Sequence, residues 1–319
     1  MRILRTVSIV AVGLLIAFSA SAADGDFRVT LLGTSSPAPR ADRFGPSTLV
    51  QAGGQTLLFD AGRGVPIRMQ QLGIALGKID TVFLTHYHSD HTSGLPDVWL
   101  TGWLPPAFGQ RKGAFHVVGP VGAKALMAGL QQAYAADITI READEKLAPE
   151  AIAVQVDEFN KDGVVYEKEG VRVTAFEVNH GDLIKPAYGY RIDYNGHSAV
   201  ISGDTRFNEN VIKYGTDADV LIHEVVAASP SLVKIAAFKR IVSHHTTPRE
   251  AGVVFERAHP KLAVYTHIVQ LSNPSNPAPS LADIVAATRQ TYQGPLVVGE
   301  DLMTFSIGAD GVAVYRSGT

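Results

Sequence analysis

The sequence predicts an α/β fold in which two β-sheets pack face to face beneath covering helices. Three observations carry this. Short apolar stretches with Gly-containing turns recur in two blocks, one opening at residue 27 and one at residue 163, with helix-patterned stretches between and after them. The chain has 319 residues, is 46% hydrophobic and only 18% charged, which suffices for a sizeable core. Histidines and acids gather where the apolar stretches end, the places at which a rigid sheet presents side chains to an exposed loop.

The first block opens with "FRVTLLG" (27–33), "STLVQAG" (47–53) and "QTLLFDAG" (55–62), three strands with the hairpin connection "GGQ" at 53–55. A fourth strand, "IDTVFLTH", ends on a histidine cluster. Leu95 to Gly102 reads as a short helix with Pro96 in its first turn. "FHVVGP" is a strand and residues 120–136 have helical apolar spacing. The "GPVG" turn between them lacks a full dinucleotide-binding pattern and reads as a plain strand-to-helix turn. Residues 140–160 are charged and follow no clear period.

The second block runs through residues 163–180 and 187–205, with a hairpin at "YNGH", and then the strand "ADVLIHEVV" (218–226). A helix is expected over 246–259: Thr247 caps it, Pro248 takes its first position and Glu250 completes a capping box. "KLAVYTHI" is a strand ending on a histidine, and a helix (280–292) and the hairpin "MTFSIGADGVAVYR" close the chain.

Residues 1–22 read as a leader outside the fold. Arg2 and Arg5 precede a short apolar run, Val7 to Phe18, and Ala20 and Ala22 occupy the small-residue cleavage positions. Cleavage after Ala22 leaves one domain, residues 23–319, in the periplasm or outside the cell; an uncleaved membrane anchor is the alternative. The mature chain then has 26 Lys and Arg against 31 Asp and Glu, a net charge of −5. That balance disfavours a long polyanion such as RNA, which needs a basic footprint. With no cysteine, the chain has no disulfide, and any metal site uses nitrogen and oxygen ligands alone.

The chemistry gathers at strand ends. "THYHSDH" supplies His86, His88, Asp90 and His91; later strands deliver His180, Asp204, His223 with Glu224, and His267, while His244 and His245 precede the capped helix. Alternate residues of an extended segment share a face, so H-x-H turns two imidazoles to one side. Two histidines and a third from another strand make a zinc site. Asp60 of "LLFDAG" is expected to accept a hydrogen bond from a ligand histidine and orient it, or else merely to close a turn. Trp99 and Trp103, four residues apart, wall an apolar leaving-group pocket or form the buried side of a helix. His223 and His244 read as structural, Lys185 and Arg191 as surface charges, and His116, His197 and His259 receive no role.

These residues resemble the metallo-β-lactamase fold family. "THYHSDH" matches its H-x-H-x-D-H signature, and His180, Asp204 and His267 follow in the order of its remaining ligands. From about Thr30 to the end, "LLGTSSPAPRADRFGPSTLV", "LLFDAGRG", "SGDT", "LIHE" and "SHHTTP" are similar to the ribonuclease Z branch and its exported arylsulfatase-like relatives. The resemblance implies an αββα sandwich. It implies that His86, His88 and His180 hold one metal, that Asp90, His91 and His267 hold a second, and that Asp204 bridges them. Two Zn²⁺ ions are implied, with Mn²⁺ or Fe also suited to such donors, and a hydroxide shared between the ions is the expected nucleophile. His245 would protonate the leaving oxygen with Glu224 orienting it, and Asp90 is counted with them among the residues that carry the reaction.

A sulfate monoester and a phosphate diester are both tetrahedral monoanions, so the ligands do not choose between them. Only 23 residues separate His180 from Asp204, so the tRNA-binding arm that many ribonuclease Z proteins carry there is missing. With the acidic charge and the leader, this favours an arylsulfatase-like enzyme on a small anionic ester, with tRNA an unlikely partner. The alternative is a phosphodiesterase or ribonuclease Z-like endonuclease. A β-lactamase or lactonase ranks lower, since those branches usually carry Cys or Ser where Asp204 stands, and a metal-binding module without turnover lower still. A homodimer fits the branch, though no segment marks an interface.

Overall fold

A computed structural model describes residues 26–316. The leader expected at residues 1–22 lies outside the described residues. Strands β1 (Phe27–Gly33), β2 (Ser47–Ala52) and β3 (Gln55–Phe59) form a meander, followed by helix α1 (Val65–Gln71). Strand β4 (Thr81–Phe83) leads into helices α2 (Ser89–Thr92) and α3 (Leu95–Trp103). Next come β5 (Phe115–Pro120), helices α4 (Ala123–Ala133), α5 (Ala135–Asp144) and α6 (Pro149–Ile152), and β6 (Val154–Phe159). The second half contains β7 (Gly163–Lys168), β8 (Val171–Glu177), β9 (Tyr188–Tyr194), β10 (His197–Ile201), α7 (Glu209–Gly215) and β11 (Val220–Ala227). Helices α8 (Ala236–Val242) and α9 (Pro248–Ala258), strand β12 (Leu262–Gln270), helix α10 (Leu281–Thr288) and strands β13 (Leu296–Val298), β14 (Thr304–Gly308) and β15 (Gly311–Tyr315) end the chain.

Two sheets result. The first runs β15-β14-β1-β2-β3-β4-β5-β6 and the second β13-β12-β11-β10-β9-β8-β7. Each is antiparallel at one side and parallel at the other: β3 to β6 in the first, β10 to β13 in the second. Ligand sites in such sheets form beyond the carboxyl ends of the parallel strands. The inner faces pack on one another through Phe59, Phe83, Tyr190, Ile222, Val264 and Phe305. Phe59 and Phe83 stack at 4.7 Å, and Tyr190 crosses from the other sheet to meet both rings. Its hydroxyl donates to the Leu84 carbonyl at 2.6 Å, pinning the two sheets together two residues before His86.

The outer faces carry the helices. Val65, Met69, Trp99 and Met127 from α1, α3 and α4 cover the first sheet. Val211, Val254, Phe255 and Ile284 from α7, α9 and α10 cover the second. This is the expected αββα sandwich, with each buried aliphatic or aromatic side chain stabilising it by roughly 1.5–3 kcal/mol. The uncommitted stretch 140–160 becomes the end of α5, the single turn α6 and the edge strand β6. Its charge is explained by α5, which buries no side chain and whose Arg141 bridges Asp137 and Glu145 one turn to either side.

Helix α9 starts as its sequence predicts: Thr247 Oγ1 accepts from Glu250 N–H, and the Glu250 carboxylate accepts from Thr247 N–H at 2.9 Å. This capping box fixes the chain two residues after His245. Trp99 and Trp103 settle the open choice at α3. They are 0% and 3% exposed, and their indole N–H groups donate to Ile152 and Ala148 carbonyls. Both rings are spent in joining α3 to α6, so neither walls an open pocket. The buried Arg111 guanidinium donates to the Val98 and Trp99 carbonyls in the middle of α3.

Candidate metal centre

Strand β4 is shorter than expected because its last residues turn away from the ladder. Thr85 N–H donates to Asp60 Oδ1 and Thr85 Oγ1 to Asp60 Oδ2, both at 2.8 Å. The chain then stays extended through His88, which places His86 and His88 on one side, and winds into α2, which brings Asp90 and His91 round together. In the other sheet Glu224 lies within β11, as its expected strand had it, and β12 runs further than expected, to Gln270, so His267 sits within a strand rather than at its end. The register between them slips at His267, since Glu224 pairs with Thr266 and Val225 with Ile268. This bulge, with His267 at φ 41°, turns its imidazole out of the ladder towards the other donors. Asp60 also has a left-handed backbone, at φ 58°. Such positions cost about 1–3 kcal/mol in a non-glycine residue and collect at functional sites.

The structure brings all seven expected ligands together. His86, His88, His180 and Asp204 offer donor atoms within 4.8 Å of one another, and so do Asp90, His91 and His267. His180 Nε2 lies 3.2 Å from His88 Nδ1 and 3.6 Å from Asp204 Oδ2. Asp204 Oδ2 is also 3.3 Å from His91 Nε2, 3.2 Å from His267 Nε2 and 3.9 Å from His86 Nε2. One carboxylate thus faces both groups, the position a bridging ligand needs. Asp90 Oδ2 sits 3.2 Å from His267 Nε2.

Outer partners fix the rings. Asp60 Oδ2 accepts from His91 Nδ1 at 2.7 Å, as expected of that aspartate, so His91 Nε2 is left to face the site. The His244 carbonyl accepts from His180 Nδ1 at 2.9 Å, and Thr85 Oγ1 meets His86 Nδ1 at 3.0 Å. Glu224 faces His245 across 3.2 Å, Oε2 to Nδ1. Its other oxygen accepts from Thr246 N–H at 2.9 Å and Thr205 N–H at 3.3 Å, the residues next to His245 and Asp204. Glu224 therefore holds a ligand loop and the histidine loop in one register. The roles of Thr85, Thr205, Thr246 and the His244 carbonyl were not visible in the sequence; "DT" after "SG" and "HT" after "SH" were the available hints.

Burial and charge divide the histidines. Desolvation pushes His86 well below its ordinary value and His180 down to about 4, so both imidazoles are neutral and able to donate a lone pair. Burial acts the same way on His91, but Asp204 and Asp60 outweigh it and raise it well above that value. Burial would also depress His245; the Glu224 carboxylate reverses it and brings the group to about 9. Asp204 is driven well below its ordinary value despite burial, chiefly by His267 and His91.

The residues present fit a pair of divalent cations. His86 Nε2, His91 Nε2 and Asp204 Oδ1 are buried with no hydrogen-bond partner. Each bare polar atom costs about 1–3 kcal/mol, a penalty that a coordinated ion removes. The donors are nitrogen and oxygen only, which suits zinc and also manganese or iron. His245 adjoins both clusters: its ring is 4.8 Å from the His180 ring and stacks at 5.6 Å on that of His267, and with Asp204 and His267 it makes a third set of donor atoms within 4.8 Å of one another. Two of the histidines given no role have local partners, His116 binding Thr81 and Asp157 and His197 facing Asp219; Arg191, read as a surface charge, binds Asp193 and the Tyr214 carbonyl.

The sandwich, the strand-end cluster and a family-model match over residues 55–268, described as a beta-lactamase superfamily domain, show that the chain belongs to the beta-lactamase superfamily, in its ribonuclease Z branch. A ribonuclease Z from Mycolicibacterium gilvum (strain PYR-GCK) is 34% identical over 277 residues, 86% of this chain and 94% of that protein. Among solved structures, human tRNase Z, short form, superposes with a TM-score of 0.65 at 22% identity, covering 88% of this chain and 99% of that one. A metallo-β-lactamase fold protein from Bacillus subtilis gives 0.64 at 18% identity, covering 87% and 98%.

These likenesses correct two expectations. The arylsulfatase-like reading, and with it a small anionic ester as substrate and tRNA as an unlikely partner, is overturned by relatives named ribonuclease Z at about 34% identity across most of the chain. The physical error is clear. Net charge is an average over the whole surface and does not report the field at one cleft. A short 180–204 interval removes one possible RNA contact and says nothing of the others.

Proposed function

We propose that this chain is a metal-dependent phosphodiesterase of the ribonuclease Z kind, acting on RNA, with tRNA foremost. The observation that carries the reading is the similarity to ribonuclease Z over 86% of the chain, joined to a site in which one carboxylate, Asp204, faces two donor clusters. His86, His88 and His180 would hold one divalent ion, Asp90, His91 and His267 the other, and Asp204 both; zinc is the metal we assign. Such a pair supplies Lewis acidity at a phosphoryl oxygen and lowers the pKa of water towards about 7.

The remaining chemistry belongs to side chains. His245 stands beside His180 and His267, with Nδ1 turned to Glu224. In this arrangement Nε2 donates a proton to the departing ribose oxygen while Glu224 balances the imidazolium. Asp60 keeps His91 in the tautomer that leaves Nε2 free, and the His244 carbonyl does so for His180. Export of the chain after loss of residues 1–22 stands as part of the proposal, checked by sequencing the N-terminus of the mature protein.

The zinc-loaded chain should cleave an unpaired 3′ extension from a transcribed tRNA and hydrolyse bis-p-nitrophenyl phosphate. Turnover of p-nitrophenyl sulfate with neither phosphodiester touched refutes the proposal. Asp204→Ala should lose bound zinc together with rate. His245→Ala should keep its zinc and lose about 10²–10⁴-fold in rate, the worth of a general acid.

A further inference from the structure

Asp301, in the turn between β13 and β14, is far in sequence from every donor, yet it is among the most heavily bonded side chains beside the site. Its carboxylate is 4% exposed and accepts five hydrogen bonds. Thr34 N–H and Oγ1–H reach Oδ1 at 3.0 and 2.8 Å. Phe44 N–H reaches Oδ2 at 2.7 Å, and the Arg68 guanidinium reaches it at 3.2 and 2.8 Å. Arg43 closes the knot, donating to Thr34 Oγ1 at 2.7 Å and to the Gly299 carbonyl at 2.6 Å. Arg68 also lies 4.0 Å over the Phe44 ring. One carboxylate therefore ties both ends of the loop 34–45 to helix α1.

That loop is braced against one donor cluster. The Thr34 carbonyl accepts from Ile268 N–H at 2.9 Å, the residue after the strained His267. At its other end Gly45 N–H donates to the Arg63 carbonyl and Gly62 N–H to that of Pro46. These two glycines lie against the Asp90 carbonyl so closely that a Cβ on Gly62 would stand 2.7 Å from it and one on Gly45 3.2 Å. The His91 carbonyl accepts from Ala61 N–H at 2.8 Å. The backbone of Asp90, His91 and His267 is thus supported by the segments that Asp301 ties down. His180 is held instead by the His244 carbonyl, and His86 by Thr85.

We propose that Asp301 is a positioning residue for the Asp90–His91–His267 cluster, setting how tightly that cluster holds a divalent cation without touching it. The inference rests on the reading that the two clusters each take an ion. Without the carboxylate, five donors lose their acceptor and the loop slackens. His267 then relaxes from its left-handed backbone, and Asp90 moves with Gly45 and Gly62. The cluster of His86, His88 and His180 keeps its own supports.

The test is zinc stoichiometry and affinity of the full-length mature chain, measured by competition with a chromophoric chelator. Wild type should bind two Zn²⁺ ions. Asp301→Asn should bind one with unchanged affinity and the second about 10–100-fold more weakly. His267→Ala should weaken the same ion, and adding Asp301→Asn to it should change little further. A buried carboxylate elsewhere is the control: Asp219→Asn should lower thermal stability and keep both ions. If Asp301→Asn does not fold, Thr34→Val, which removes one donor and the Arg43 acceptor, should weaken the second ion by a smaller factor. Folded Asp301→Asn, or Thr34→Val in its place, with two ions at wild-type affinity overturns the inference alone. A wild-type chain that binds a single ion overturns the two-cluster reading as well.

Discussion

Replacing Asp60 by asparagine gives a buried network a choice it cannot make well. Asp60 is 5% exposed and its carboxylate serves three donors: Thr85 N–H, Thr85 Oγ1–H and His91 Nδ1–H. Asparagine matches its volume and tolerates its left-handed backbone, so packing and strain are nearly unchanged. Only one of its two terminal atoms accepts, however. An amide nitrogen at the Oδ1 position faces the Thr85 backbone N–H, which cannot rotate away. An amide nitrogen at the Oδ2 position faces His91 Nδ1, which must then become an acceptor and carry its proton on Nε2. The first arrangement leaves a buried N–H bare and loses a charge-assisted bond, together about 2–4 kcal/mol. The second spoils the ring atom that faces the site and should weaken a bound ion by about 10–100-fold. Urea denaturation of the metal-free chain and zinc competition measure the two costs. A loss of stability under about 0.5 kcal/mol together with unchanged zinc affinity would show that Asp60 merely closes a turn.

Two further outcomes follow from the packing. Trp99→Ala should destabilise the chain by about 3–5 kcal/mol in chemical denaturation, because a fully buried indole and its bond to the Ile152 carbonyl both go. The folded fraction should keep its phosphodiesterase rate, which a wall of the substrate pocket would not. Asp219 is held below its ordinary value, against burial, by Lys261, Ser198 N–H and His197. A depressed carboxylate adds stability above its unfolded pKa of about 3.9 and loses it as pH falls through the folded value. Thermal melts of Asp219→Asn should therefore sit below wild type at neutral pH and converge on it in acid; a constant gap across that range would contradict the assignment.

The site was legible where chemistry and order coincide. The seven donors, Asp60, Glu224 and His245 follow one another in a fixed order along the chain, most of them at strand ends or turns and Glu224 and His267 within strands, and the structure brings them together. The capping box at Thr247 was legible because it is local, needing only residues 247–250. Features that depend on distant partners were hidden. Nothing near Asp301 announces that it meets Thr34 and Phe44, because the contacts span more than 250 residues. The bulge at His267 depends on the neighbouring strand, and helix α8 buries no side chain, so no apolar period foretold it. The substrate was misjudged for a related reason: whole-chain charge describes no single surface.

The seam between the two sheets has a consequence for the chain during its synthesis. His86 to His91 hang from the first sheet, whereas Asp204 and His267 hang from the second. A nascent polypeptide that has emerged only as far as β6 owns four of the seven donors and neither Asp204 nor His245. It has no complete centre. The full set of donors is thus assembled only once β12, which carries His267, has joined the second sheet.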